Sequence, residues 1–208
     1  MICVPIVGPS MSKAREQITS AVEVADILEF RLDLIETYEL NALLDASSLP
    51  VIVTNRSKLD GGQFKGEDED RVQSLRDALK AGADYVDIEV STPREILQPL
   101  LEESDPTQII LSYHDFSHTP EDFNPLYETM CEMPGEIIKI VTYARDLNDN
   151  LKMFELLKRA KREKQKLIGL CMGTLGEVSR ILSPLFGGFL TFGSLETGQE
   201  SAPGQIPA

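Results

Sequence analysis

The sequence predicts a single-domain α/β protein folded as a (β/α)8 TIM barrel, and three observations predict it. Eight short apolar runs recur along all 208 residues. Helix-like segments separate them, at a mean spacing of roughly 26 residues. The turn after the first run reads GPSMSKAR, with one glycine where a doubly wound nucleotide-binding sheet carries G-x-G-x-x-G. No linker, charge block or low-complexity tract divides the chain, so residues 1–208 read as one domain.

In order, the runs are ICVPIVG (2–8), ADILEFRLD (25–33), PVIVTNR (50–56), DYVDIEV (84–90), QIILSYHDF (108–116), EIIKIVT (136–142), KLIGLCMG (166–173) and GGFLTFGS (187–194). Each is rich in Val, Ile and Leu and too short for an ordinary helix. Near-continuous apolar strands are what a parallel sheet covered on both faces requires. Between them, KAREQITSAVEVA, DRVQSLRDALKAGA and DNLKMFELLKRAKREK have helical character. In the second of these, Val72, Leu75, Leu79 and Ala83 recur every three or four residues as one buried face, and Gly82 reads as the stop. Pro93, Pro120 and Pro134 fall in connections. Seven covering helices can be placed before SAPGQIPA, so the barrel is expected to lack its final helix. The outer face of the eighth run, including Phe189 and Leu190, is expected to find its cover in downstream chain or another subunit.

Composition narrows the function. Lys+Arg number 20 against Asp+Glu 34, a net charge of −14, which argues against a general nucleic-acid binder. An anionic substrate must then be drawn by a few placed arginines against the field of the whole molecule. Trp is absent and aromatics are 6%, which weighs against stacking platforms for single strands. No apolar stretch reaches the ~18–20 residues of a membrane span, and the first residues lack the basic start of a signal peptide. Cys3, Cys131 and Cys171 form no CxxC pair, which fits a reducing, cytoplasmic location better than a disulfide framework or zinc knuckle.

The strands stop being apolar at their C-terminal ends, where barrels keep their active sites. Glu29, Arg31 and Asp33 alternate with Phe30, Leu32 and Leu34, and turning the apolar set toward the helices puts three charges inside. The next strands end in Thr54 and Arg56, Asp87 and Glu89, Ser112 and His114. A layer of structural ion pairs competes with a site as the reading of any one of these residues. Lys139 lies inside EIIKIVT, a rare place for an ammonium. A free amine there could form a Schiff base with a ketone or aldehyde. The bland alternatives are a pair with a carboxylate such as Glu29, or an outward-snorkelling side chain. The only histidines, His114 and His118, are four apart across a strand end, which is poor geometry for a metal pair, and there is no HExxH or GxSxG motif. His114 suits acid/base work and His118 an exposed loop.

ExRxD (Glu29–Asp33), TxR (Thr54–Arg56), SxHDF (Ser112–Phe116), IKIV around Lys139, MGxxGxxSR (Met172–Arg180) and SAPGQ (Ser201–Gln205) occur in that order. Together they closely resemble the type I 3-dehydroquinate dehydratases of the shikimate pathway. The resemblance implies conversion of 3-dehydroquinate to 3-dehydroshikimate and water by syn elimination, without cofactor or metal. It implies that Lys139 condenses with the ketone and that His114 takes the C2 proton and then helps the C1 hydroxyl leave. Arg180 is implied to clamp the substrate carboxylate. Glu29, Arg31 and Arg56 are implied to hold hydroxyls and position the lysine, and Ser201 and Gln205 to belong to a closing loop. A homodimer or a fused shikimate dehydrogenase domain are the partners the resemblance suggests. In RSKLDGG, Asp60 stands where the family usually has a Glu that orients the histidine, one methylene shorter. The chain also stops at Ala208 where the family usually continues into a final helix. A class I aldolase would call for a phosphate nest where Arg180 and SAPGQ stand, and a silent binding barrel is disfavoured by the presence of both Lys139 and His114.

Overall fold

All strands of the molecule run parallel in one eight-stranded sheet of order β7-β6-β5-β4-β3-β2-β1-β8, as seen in a computed structural model that describes residues 1–105 and 108–208. The elements are β1 Ile2–Ile6, α1 Met11–Ala21, β2 Ile27–Arg31, α2 Leu40–Leu44, β3 Val51–Thr54, α3 Asp68–Lys80, β4 Tyr85–Glu89, α4 Arg94–Glu103, β5 Ile109–Asp115, α5 Asn124–Cys131, β6 Ile137–Tyr143, α6 Asn148–Glu163, β7 Lys166–Met172, α7 Glu177–Phe186 and β8 Thr191–Phe192. β8 pairs with β1, and the amide of Phe189 donates to the carbonyl of Leu167 at 2.8 Å, joining it to β7. The sheet is thus a nearly closed (β/α)8 barrel with seven α-helices among the described residues.

Strand alternation divides the apolar residues into two cores. Val4, Leu28, Phe30, Val53, Val86, Ile88, Leu111, Ile138 and Ile140 face the helices. Cys3, Ile27, Ile52, Ile110, Ile137, Ile168 and Leu190 fill the barrel's interior. Because side chains two apart share a face, the residues above that inner layer are Glu29, Asp87, Ser112 and Lys139, all buried. The apolar layer closes one end of the barrel and leaves the charged layer at the other.

Two expectations need correction. The eighth strand shrinks from 187–194 to two residues, because Gly187 (φ +104) and the Gly188 amide bonded to the Ser183 carbonyl at 2.9 Å terminate α7. Leu190 was expected on the outer face, but the register turns it into the barrel, fully buried. In α3, Val72 and Leu75 are buried as expected. The helix ends at Lys80, and Gly82 (φ +97) turns the chain so that Ala83 is buried beyond it.

Candidate active site

Glu29, Arg31, Arg56, Asp60, His114, Lys139, Arg180, Ser201 and Gln205 all line one cleft at the C-terminal ends of the strands. Its apolar walls are Val141, Leu170, Met172, Phe116 and Phe192. Asp33 does not reach it. It sits in the 3-10 turn Leu32–Leu34 and grips the Arg31 guanidinium with both oxygens, at 2.9 and 2.8 Å. His118 is exposed and pairs with Asp115 at 3.1 Å. Among the described residues no cluster of His, Cys, Asp and Glu is placed to hold a metal ion.

Lys139 is 5% exposed. Its Nζ lies 2.8 Å from Asp87 Oδ2 and 3.6 Å from Glu29 Oε1, and 4.3 Å from the centre of the Phe192 ring. Burying an ammonium is costly unless it is paired, and two carboxylates and a π face offset that cost here. The register places Ser112 directly beside Lys139. The Ser112 hydroxyl donates to Asp87 Oδ1 at 2.6 Å and accepts from Arg56 Nη1 at 2.8 Å. Arg56 Nη1 also reaches Asp87 Oδ1 at 2.9 Å and Glu89 Oε1 at 3.0 Å. Thr54 donates to Glu29 Oε1 at 2.9 Å. Burial opposes ionisation of Asp87, but Arg56 and Lys139 outweigh it and hold the carboxyl well below its usual range. Burial likewise works against the Arg56 cation, and Asp87 and Glu89 more than offset it.

His114 is neutral near pH 7, its pKa pushed down to about 4 first by burial and then by the Arg56 charge, with Asp60 pulling the other way. Its Nδ1 is buried without a hydrogen-bond partner. The nearest carboxylate oxygen, Asp60 Oδ1, stands 3.8 Å away, beyond direct hydrogen-bonding distance. Asp60 Oδ2 is held by the hydroxyls of Ser91 at 2.7 Å and Ser57 at 3.1 Å.

Arg180 is 3% exposed, yet no carboxylate pairs with it among the described residues. Its Nη2 donates to the Pro203 carbonyl at 3.0 Å, and Nε has no partner. Burial lowers its pKa to about 10. A buried guanidinium with no carboxylate partner, facing a cleft, has the planar fork that a carboxylate can meet with two hydrogen bonds. Ser179 seats it: its hydroxyl accepts from the Cys171 amide at 2.8 Å and donates to the Gly176 carbonyl at 2.7 Å, fixing the start of α7. The Ser201–Gln205 segment folds over this corner. Gln205 Nε2 donates to the Ser201 hydroxyl at 3.1 Å, and the Gly173 amide donates to the Pro203 carbonyl at 3.2 Å.

Sequence reasoning noted Asp87 and Glu89 at a strand exit but did not see them as the frame of Lys139. It missed Phe192 beneath the ammonium, Ser91 beside Asp60, and Arg71, a fully buried guanidinium on α3. Strand parity could have flagged Phe192. Nothing local could have flagged Arg71, which lies in the acidic run DEDR.

The fold and the cleft together define a class: a (β/α)8 barrel enzyme whose ionised side chains gather at the C-terminal ends of the strands. A family model described as Type I 3-dehydroquinase matches residues 2–208. A 3-dehydroquinate dehydratase of Methanococcus maripaludis is 36% identical over 99% of this chain and 94% of its own length. The bifunctional 3-dehydroquinate dehydratase/shikimate dehydrogenase of Arabidopsis thaliana is 36% identical over 99% of this chain and 35% of its own. The crystal structure of 3-dehydroquinate dehydratase from Geobacillus kaustophilus superposes with a TM-score of 0.87 at 28% identity, over 99% of this chain and 86% of that one. The chain belongs to the type I 3-dehydroquinase family, the type I 3-dehydroquinate dehydratases. No helix among the described residues is long and apolar enough to cross a membrane.

Proposed function

We propose that the cleft removes water from 3-dehydroquinate through an imine at Lys139, with His114 moving the proton, as one step of the shikimate pathway. The observation that carries this reading is the buried Lys139 ammonium, set by Asp87 and Glu29 in the same cleft as a neutral imidazole and an unpaired guanidinium. In its unprotonated form, the amine adds to the C3 ketone, and loss of water gives an iminium. The iminium acidifies the C2 proton, which His114 accepts, and the electron pair moves into an enamine. The enamine expels the C1 hydroxyl, which takes the proton back from the same imidazole and leaves as water. A second water hydrolyses the imine and frees product and lysine. One base serves both proton transfers because both sites lie on one face of the ring, which makes the elimination syn.

In this reading Arg180 binds the substrate carboxylate, while Glu29, Arg31 and Arg56 hold hydroxyls and the lysine. Asp60 orients His114 through a bridging water, since the gap is too long for a direct bond. Ser201 and Gln205 cover the bound substrate and exclude water. Borohydride added with substrate should leave a reduced ligand mass on the peptide containing Lys139, and Lys139→Ala should bind ligand but lose nearly all turnover. Mapping of the adduct to another lysine would falsify the assignment. Ultraviolet absorbance of the conjugated enone product reads the reaction directly.

A further inference from the structure

Arg71 lies in the first turn of α3, outside the barrel wall, where the helix dipole disfavours a cation. It is nevertheless among the largest fully buried side chains in the protein, at 1% exposure. Its guanidinium reaches through to the strand ends. Nη1 bonds Glu89 Oε2, Nη2 bonds the Thr92 hydroxyl at 2.8 Å, and Nε bonds Asp68 at 2.9 Å. The other oxygen of Glu89 binds Arg56 at 3.0 Å and the Ser57 amide at 3.2 Å. Arg56 binds Asp87 at 2.9 Å, and Asp87 binds Lys139 at 2.8 Å. The result is an unbroken line of alternating charge, Arg71–Glu89–Arg56–Asp87–Lys139, ending beside Glu29. Inside the barrel wall the three cations Arg71, Arg56 and Lys139 meet the three buried carboxylates Glu89, Asp87 and Glu29, with the partly exposed Asp68 at the outer end, in a place where an unpaired charge is costly.

We propose that Arg71 is a positioning residue for the reaction: by holding Glu89 it keeps Arg56 on Asp87, and so sets how Asp87 holds the reacting amine. Without Arg71, the buried Glu89 carboxylate draws Arg56 toward itself. Asp87 is then left to Lys139 and the Ser112 hydroxyl, gripping the ammonium more tightly and in an altered place. Substrate contacts made by Arg180 and the Ser201–Gln205 segment lie elsewhere in the cleft and are untouched. Arg56 also holds a substrate hydroxyl in the proposed reading, so its shift weakens binding in small measure, and the larger effect falls on the amine's attack. A guanidinium serving only to glue α3 to β4 would alter the amount of folded protein and not this balance.

The proposal rests on Lys139 forming the imine, and the test separates the two. Borohydride trapping in the unaltered protein, mapped to a peptide, decides the role of Lys139 by itself. With that in hand, Arg71→Met should lower kcat per folded molecule at least tenfold with KM changed less than about threefold, and slow single-turnover trapping at Lys139 to a similar degree. Arg71→Lys, which restores the charge without the fork, should regain part of that loss. Thr92→Val, which frees one arm and keeps the charge, should show the same split in smaller measure and serves where Arg71→Met does not fold. Trapping rates and kcat per folded molecule equal to those of the unaltered protein in Arg71→Lys and Thr92→Val, with Arg71→Met failing only in yield or stability, overturn the proposal.

Discussion

His114 faces an aspartate, Asp60, whose nearest oxygen stops 3.8 Å from its Nδ1. A carboxylate bonded to Nδ1 favours the imidazolium, so closing the 3.8 Å gap should raise the imidazole pKa from about 4. Asp60→Glu adds the missing methylene. It is expected to keep activity and to move the acid limb of the kcat/KM profile to higher pH. Asp60→Asn should move it the other way and cost turnover. His114→Ala should slow both formation and breakdown of the imine-linked intermediate. Rate profiles from pH 4 to 8 for the two Asp60 variants check this. Identical curves in both would remove the Asp60–His114 contact from the mechanism.

At the scale of elements, the decisive contact is between the β7–α7 turn and the Ser201–Gln205 segment. Gly173 has φ +79 and Gly204 φ +74, a backbone region that costs little only for glycine. A Cβ on Gly204 would lie 2.5 Å from the Gly173 carbonyl oxygen, an approach backbone atoms cannot relieve without moving the segment. Gly204→Ala therefore combines strain with a clash, a penalty on the order of 1–3 kcal/mol falling on the docked segment. The expected outcome is a KM raised about five- to a hundredfold and faster proteolytic cutting in residues 196–206, with the melting temperature of the barrel little changed. Unchanged KM would show that the segment takes no part in holding substrate. Gly82→Ala, also at positive φ but in open space, offers a comparison for strain alone.

For the whole molecule, the charged layer makes stability depend on pH in a defined direction. The folded pKa of His114 is lowered to about 4 from an ordinary 6.5, so the unfolded chain binds its proton first. Above about pH 6.5 neither state is protonated there and no penalty arises. Between 6.5 and 4 the penalty grows as pH falls, to on the order of 3 kcal/mol. Asp87, held below the usual carboxylate range, adds a second loss, below its unfolded pKa near 3.8. Denaturant titrations should show stability falling from pH 6.5 to 4, and His114→Asn should flatten that limb while leaving the decline below pH 4. A decline between 6.5 and 4 that persists fully in His114→Asn would assign it to another group.

Local periodicity pointed to eight parallel strands and gathered the polar residues Glu29, Arg31, Arg56, Asp87 and His114 at their C-terminal ends, since a two-residue alternation separates them from the helix-facing apolar set without any knowledge of neighbours, while leaving open whether Lys139 faced inward. The ordered motifs further marked Arg180 and the Ser201–Gln205 segment. What only the tertiary structure decided is which charge meets which. The sequence offered Glu29 as a partner for Lys139, whereas the closer one is Asp87, two strands away in the sheet. Leu190 turned inward, Asp60 stopped short of His114, and Arg71 reached Glu89 from a helix. All four depend on strand stagger and on distances between elements far apart in sequence, quantities set when the barrel closes and absent from any local pattern.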